Sequence, residues 1–454
     1  MKFTETIAAI ATPPGRGGVG IIRISGPLVP HLSQEIIGYL PKPRKATYAN
    51  FKKKDGVILD QGILLYFSAP HSFTGEEVLE LQGHGGPILL DSILKYLIEL
   101  GVRLALPGEF SQRAFLNNKI DLVQAESIAD LINATSQQAA RSALNSLQGD
   151  FSKQISKFKN QLIRLRIFVE AAIDFPEEEI DFIAESTIKQ DLADIIQQIN
   201  LILKVSQQGL ILQEGIKIVL AGKPNAGKSS LLNCLSGRDS AIVSEIAGTT
   251  RDLIREHISL DGLPIHIIDT AGLHHSQDSI ELEGMRRTRE MMQNACLVLL
   301  IVDSAEMKEA SLNQELDEEL VNLIPSSTSF LIVQNKIDLI NEPPEIVEED
   351  QYTMIKVSAK NNQGIDLLIN YLKQKAGVQD MSESIFIARR RHLAAIEKAL
   401  LHLKEAQKQL EIYFASELLA EELSLANIAL GEITGEFSSD ELLGEIFSSF
   451  CIGK

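Results

Sequence analysis

Cysteine is scarce in this chain of 454 residues: Cys234, Cys296 and Cys451 are all it has, and they lie far apart. They offer no disulfide framework and no metal-ligand spacing, and such scarcity points to a reducing compartment. Long hydrophobic runs are missing as well. The longest beside a strand pattern is ACLVLLIV, Ala295 to Val302, far short of the roughly 20 apolar residues that a membrane-spanning helix needs. The leading MKFTETIAAIATPPGRGG has no basic segment ahead of its apolar stretch and no cleavage site, so it reads as mature protein rather than as a secretory signal. A cytoplasmic chain with no membrane segment is the expectation.

Positive charge is also in short supply. Lys and Arg number 43 against 61 Asp and Glu, a formal charge of −18. Gripping nucleic acid over a whole surface requires a basic face, so that class is excluded. Three small basic clusters remain, PKPRK at 41–45, FKKKD at 51–55 and ARRRH at 388–392. They allow local RNA contact, or a partner that brings the basic surface. No internal repeat or low-complexity tract is found.

Three textures follow one another. Residues 1–118 mix Gly-rich turns with short apolar runs such as GGVGIIRISG and EEVLELQGHGG, which suggests an α/β or α+β domain. Residues 119–214 are poor in Gly and Pro. Apolar positions recur there at helical spacing, as in Ile128, Leu131, Ile132 and in Leu192, Ile195, Ile196, Ile199, and FPEEE at 175–179 reads as a break. Residues 215–376 alternate apolar runs with helical stretches, as parallel βα units do. Helical spacing returns over 377–454. A sheet domain therefore interrupts a helical one.

GIKIVLAG, a strand pattern, runs into GKPNAGKS, Gly222 to Ser229, and then into the helical SLLNCLSG. The segment matches the phosphate-loop pattern G-x-x-x-x-G-K-[ST] in its required strand-loop-helix context. Asn225, Ala226, Gly227, Lys228, Ser229 and Ser230 are expected around the phosphates, with Lys228 on the β- and γ-phosphates and Ser229 on Mg²⁺. Ser244, Glu245, Ile246, Ala247, Gly248, Thr249 and Thr250 form a second segment, SEIAGTT, in which Thr250 would cap Mg²⁺. Asp269 ends the strand pattern LPIHIIDT and could hold the metal through water. Thr270, Ala271 and Gly272 follow, with the Gly272 N–H available to the γ-phosphate. Asn335, Lys336 and Asp338 stand in NKID. The Asp338 carboxylate can accept two hydrogen bonds from guanine N1 and the exocyclic amine, a donor pair that adenine lacks. Lys336 can lie along the base. Ser358, Ala359 and Lys360 form SAK, whose Ala359 N–H can reach guanine O6. Each piece alone is weak; five in order, each after a strand pattern, point to GTP and GDP.

DTAG is followed by Leu273, where many such enzymes carry the glutamine that orients the attacking water. Two replacements present themselves. Asn225 could help to hold a monovalent cation beside the phosphates, or merely stabilise the loop turn. Glu281 or Glu283 in SIELEG could orient water, or belong to a solvated helix start.

GGVGIIRISG, HSFTGEEVLELQGHGG, PGEFSQRAFLNNKIDLVQAE, AAIDFPEEEIDF, GKPNAGKSSLLN, EIAGTTRD and the terminal EITGEFSSDELLGEIFSSFCIGK together resemble the MnmE/TrmE family of tRNA-modification GTPases over essentially the whole chain. The resemblance implies a multidomain α/β and all-α architecture. An N-terminal tetrahydrofolate-binding-like domain is followed by a long-helix domain, into which a Ras-like P-loop GTPase domain is inserted. It implies a homodimer formed through the N-terminal domain, and work with the FAD-dependent protein MnmG on the wobble uridine of certain tRNAs. It implies potassium-dependent hydrolysis, with Asn225, Ser244, Ile246 and Thr249 as K⁺ ligands and Glu281 as the catalytic acid. It places 5-formyltetrahydrofolate or a related tetrahydrofolate at Arg23, Glu80, Lys119 and Lys454. Cys451 in FCIGK is either a functional thiol near the folate or a buried small hydrophobe. His274 and His275 stand where the family commonly has Arg, which bears on the switch contacts; no other His or Cys clusters nearby to make a metal site.

Overall fold

The computed structural model describes residues 4–174, 182–237, 255–260, 262–269, 292–293, 295–305, 324–325, 328–349, 352–377, 386–413, 415–437 and 439–453. The chain divides into two compact units. One comprises Met1–Ala129, Ser146–Ile196 and Lys398–Lys454; the other comprises Asp130–Asn145 and Gln197–Glu397.

The first unit opens with β1 (Ile7–Ile10), β2 (Gly17–Ser25), α1 (Val29–Ile37), β3 (Thr47–Lys52), β4 (Ile58–Phe67), β5 (Val78–Gly85), α2 (Pro87–Glu99), β6 (Arg103–Leu104) and α3 (Glu109–Leu116). Its six strands lie in the order β3-β4-β5-β2-β1-β6. All pairs are antiparallel except β1 with β6. Alternation sets the faces. Along β5, Leu79 and Leu81 enter the core, while Glu80, Gln82 and His84 point the other way. The core side is closed by Leu32 and Ile36 of α1 and by Ile93 and Leu97 of α2. Pro lies in the first turn of both helices, where its missing N–H costs nothing.

A buried charge network fixes α3. Arg113, essentially unexposed, donates to Glu109 Oε1 at 2.8 Å, to Glu76 Oε2 at 3.0 Å and to the Glu5 carbonyl at 2.9 Å. Arg103 reaches the same Glu109 oxygen at 2.6 Å, and the Leu106 N–H donates to the other oxygen. Buried charges persist only when paired in this way.

The helices α4 (Leu122–Asn133), α5 (Gln137–Leu147), α6 (Asp150–Asp174) and α7 (Phe182–Glu214) follow. The expected break at 175–179 lies outside the described residues. Leu192, Ile195 and Ile199 of α7 are buried as their spacing predicts. The spacing Ile128, Leu131, Ile132 does not mark a buried face: Ile132 is 42% exposed. Instead α4 buries Leu122, Ala125 and Ala129 against Leu443, Phe447 and Phe450. Small side chains there admit the phenyl rings, so the contact face is not the most hydrophobic one. A further helix of this unit, Ser416–Thr434, packs along α6.

The second unit holds a seven-stranded sheet in the order β12-β13-β11-β10-β7-β9-β8. Its strands are β7 (Ile216–Ala221), β8 (Arg255–Leu260), β9 (Leu263–Asp269), β10 (Leu297–Asp303), β11 (Phe330–Asn335), β12 (Ile346–Glu348) and β13 (Thr353–Lys356). The helix α8 (Lys228–Ser236) follows β7. The five inner strands are parallel. Leu297, Leu299 and Ile301 pack on one face of the sheet; Val298 and Leu300 pack on the other. Burial on both faces explains the unbroken apolar run in the sequence. The sheet is not purely parallel, however: β8 and β12 pair antiparallel at its edges. Leu260 pairs with Leu263 across a two-residue Asp-Gly turn, with Gly262 at φ 89°. That dipeptide is a strong hairpin signal.

The charge network yields a stability prediction. Arg113→Met takes the buried cation from both Glu109 and Glu76 and is expected to cost roughly 3–5 kcal/mol, read as a lowered urea midpoint of the full chain. Burial pushes the Glu109 carboxyl up, but the Arg103 hydrogen bond, the Leu106 N–H and Arg113 outweigh it and hold the group below its ordinary 4.5. A depressed folded value means that this stabilisation is present above the ordinary value and is lost as pH falls through the folded one. Acid unfolding, followed by circular dichroism, is expected to begin at higher pH in Arg113→Met than in the parent. Identical acid and urea midpoints would contradict the assignment.

Candidate functional site

Every sequence-predicted nucleotide residue that is described sits at or just beyond the carboxyl end of an inner strand of the second sheet. Ligands bind there in open α/β folds. After β7 the chain turns through Gly222 at φ 148°, Asn225 at φ 62° and Gly227 at φ 101°. A Cβ on Gly222 would fall 2.3 Å from the Ile301 carbonyl oxygen, and one on Gly227 would fall 2.1 Å from Asn335 Nδ2. Both glycines are therefore demanded by packing as well as by φ. Gly227 is the N-cap of α8, whose positive end and free N–H groups attract phosphate. Lys228 is buried, and its Nζ donates to the Gly222 carbonyl at 2.7 Å and to the Lys223 carbonyl at 2.9 Å. The ammonium is thus held over the loop before any phosphate arrives. Asn225, Ser229 and Ser230 are exposed.

Asn335 ties this loop to the base side. Its Nδ2 donates to the Ala226 carbonyl at 3.1 Å, and its Oδ1 accepts from the Ala359 N–H at 3.0 Å. Its own carbonyl accepts from Ser304 N at 2.9 Å and Ser304 Oγ at 2.6 Å. The Ala359 N–H, expected on guanine O6, is therefore given to Asn335, because a buried amide needs a partner. Among the described residues Asp338 accepts one hydrogen bond, from Ser358 Oγ at 2.6 Å. This orients the carboxylate and leaves acceptor capacity for a donor pair. Lys336, in a left-handed conformation at φ 67°, donates to Asp303 Oδ2 at 2.6 Å. Lys360 is exposed beside Ala359.

Asp303 and Ser304 were not singled out from the sequence. Burial opposes the Asp303 charge, but the Lys336 hydrogen bond, the Ala305 N–H and the Lys336 charge outweigh it and keep the carboxyl below its ordinary 3.8. It stays ionised at neutral pH and pins the Lys336 stem. The available signal was an acid ending the strand next to the phosphate-loop strand, where Asp303 pairs in register with Asn335.

Ser244, Glu245, Ile246, Ala247, Gly248, Thr249, Thr250, Thr270, Ala271, Gly272, Glu281 and Lys454 lie outside the described residues, as do Leu273, His274, His275 and Glu283. Asp269 ends β9, and nothing is described of its side chain.

A second polar site lies in the first unit. Arg23 Nε donates to Glu80 Oε1 at 2.9 Å, and Arg23 Nη1 reaches the Gly453 carbonyl at 3.3 Å. The Phe110 ring lies 5.9 Å from the Arg23 guanidinium carbon. Lys119 is exposed, and a Cβ on Gly75 would come within 3.0 Å of its Cε. Cys451 is exposed, which removes the buried-hydrophobe reading. Its carbonyl accepts from the Gly108 N–H at 3.4 Å.

The fold and the first of these sites define a P-loop protein built for a guanine nucleotide. The MnmE helical domain matches residues 122–451, and the N-terminus of the GTP-binding protein TrmE matches residues 6–119. A protein of Pasteurella multocida named tRNA modification GTPase MnmE is 56% identical over 451 residues, covering 99% of this chain and 100% of its own. Proteins of the same name from Proteus mirabilis and Vibrio cholerae are 54% and 55% identical, covering 100% and 99% of this chain and 100% of each relative. The chain belongs to the MnmE/TrmE family.

The Asp338 geometry is testable by base swapping. Asp338→Asn presents a donor where guanine also presents donors, so GTP affinity is expected to fall on the order of a hundredfold, with xanthosine triphosphate affinity rising. Titration with fluorescent analogues of both nucleotides reads this. Unchanged GTP affinity would remove Asp338 from the base site.

Proposed function

We propose that this chain is a potassium-dependent GTPase that acts on tRNA together with the FAD-dependent protein MnmG. The reaction adds a carboxymethylaminomethyl or aminomethyl group to C5 of the wobble uridine of certain tRNAs, using a one-carbon unit from 5-formyltetrahydrofolate or a related tetrahydrofolate. In this reading residues 1–118 bind folate and form the homodimer. Residues 215–376 bind GTP, and the helical segments 119–214 and 377–454 make one domain around them.

The observation that carries the nucleotide half is the Asn335 clasp, which sets the phosphate loop and the SAK loop at fixed spacing. The tRNA half rests on full-length similarity to proteins named tRNA modification GTPases.

Hydrolysis needs charge at the β- and γ-phosphates and a placed water. Lys228 and the α8 N-terminus supply fixed positive charge. Ser229 and Thr250 would hold Mg²⁺; Asn225, with Ser244, Ile246 and Thr249, would hold K⁺. The exposed Asn225 and Ser229 fit such hard cations, being oxygen donors at the loop surface. The ions would add the charge that an arginine finger brings elsewhere. Glu281 orients the water, a task that Leu273 cannot perform. In the folate site Arg23 holds Glu80 in place, and the Glu80 carboxylate keeps acceptor capacity for a pterin N–H edge. Lys119 and Lys454 suit the folate carboxylates.

Steady-state GTP hydrolysis in KCl and in NaCl at equal ionic strength tests this reading. The parent is expected to be much faster in KCl, and Asn225→Ala is expected to lose that preference. Glu281→Ala is expected to bind GTP normally while kcat falls about 10²-fold or more. Equal parent rates in the two salts would end the potassium role.

A further inference from the structure

Local RNA contact was expected from the short basic clusters. The cluster at 388–392 is largely committed elsewhere. Arg389 pairs with Asp130 at 2.7 Å, and Arg390 pairs with Glu214 at 2.8 Å. A different cationic surface lies in the first unit, where a cavity of about 710 Å³ runs along the first half of α6. Lys153, Lys157 and Arg164 line it. They are four and seven residues apart, so they share one helix face at intervals of about 6 and 10 Å. Asp121 is the lining carboxylate; it caps α4 by accepting from the Gln124 N–H at 2.8 Å. Asp150 lies 3.4 Å from Lys153. Lys157 and Arg164 have no ion-pair partner among the described residues.

Two of the lining residues carry buried atoms that have no partner among the described residues. Ser152 is 7% exposed, and its Oγ is buried without a hydrogen bond; Gln161 Oε1 is in the same condition. Cations spaced along a helix, with the exposed Ser156 and Asn160 between them, match a row of phosphate and ribose oxygens. A compact anion would use one of these cations; the row suits a polyanion.

We propose that this groove docks the sugar-phosphate backbone of the tRNA substrate. The inference rests on the tRNA reading above. It explains how a chain of charge −18 makes a local contact with RNA: the positive charge is gathered on one helix face.

The test uses the full-length protein and an unmodified tRNA transcript, with binding measured by fluorescence anisotropy from 50 to 200 mM KCl. Lys157→Gln/Arg164→Gln is expected to weaken binding about tenfold at the lower salt and to reduce the slope of log Kd against log salt by about 1.5. Lys157→Arg/Arg164→Lys is expected to keep both. The GTPase rate of every variant should match the parent, since no altered residue touches the nucleotide, and that rate also reports folding. Parent-like tRNA affinity and slope in the Gln variant would overturn the proposal and leave the groove to an acidic protein partner. A parent protein that binds no tRNA at all would overturn both this proposal and the tRNA reading beneath it.

Discussion

The hydrogen bonds of the Asn335 amide hold the nucleotide site together. One amide group bonds the carbonyl of Ala226 in the phosphate loop and the N–H of Ala359 in the SAK loop. Those segments lie 109 and 24 residues away in the chain, yet a single planar side chain sets the distance between them. Asn335 can do this because it ends β11, the strand beside β10, which in turn lies beside β7. Parallel register brings their carboxyl ends level, and Ser304 then fixes the Asn335 backbone by two bonds to its carbonyl. The surrounding glycines answer the same constraint. Gly227 leaves the space that Asn335 Nδ2 occupies, so a methyl group there would break the clasp. Lys336 and Asp338 inherit their places from this anchored neighbour. Asp303 and Ser358 then aim the two side chains.

The first unit solves a comparable problem with charge. Arg113 and Glu109 lie in the interior, and each is bonded to more than one group. The network holds α3 against the start of the chain at Glu5. Phe110, on the same helix, stands under Arg23, and Arg23 meets Glu80 and the carbonyl of Gly453. The end of the chain is thereby drawn to the first sheet. Gly453, at φ 95°, leaves no room for a Cβ, which would lie 2.6 Å from the Ile10 carbonyl oxygen. The small residue in the terminal FCIGK thus has a steric reason.

Much of this was legible in the sequence where the signal was local. Apolar runs ending in Gly, Asp or Asn marked β7, β9, β10 and β11, because strands buried on both faces need continuous hydrophobicity. The phosphate loop was legible because its glycines, lysine and serine are consecutive. Three things were not. The role of Asn335 as a brace depends on partners that only folding brings near. Asp303 looked like the polar end of a hydrophobic run, and its use became visible only when β10 was placed beside β11. The contact face of α4 was not marked by its large apolar residues because Ala125 and Ala129 carry it; periodicity of large side chains follows hydrophobicity, whereas close helix packing follows size. The cations of α6 escaped notice for a similar reason. Runs of adjacent charges catch the eye, while a helix gathers charges spaced by four and seven.

The two ends of the nucleotide site differ in how they are built, and the difference bears on function. At the base end, Asn335 and Ser358 are buried, and each is hydrogen-bonded in a chain that runs from Ser304 to Asp338. Such an end is already shaped for its ligand, so little ordering remains to be done on binding. Among the described residues of the phosphate end, Asn225 and Ser229 face solvent, while Lys228 is held in advance. Recognition of the base and promotion of hydrolysis therefore draw on separate groups. On the proposed mechanism, a chain that lacks the usual glutamine can lose turnover while keeping its nucleotide, and regain turnover when cations and a carboxylate are brought to the open end. On the proposed mechanism that division makes the GTPase responsive: the base end keeps GTP in place, and whatever completes the phosphate end decides when it is cleaved.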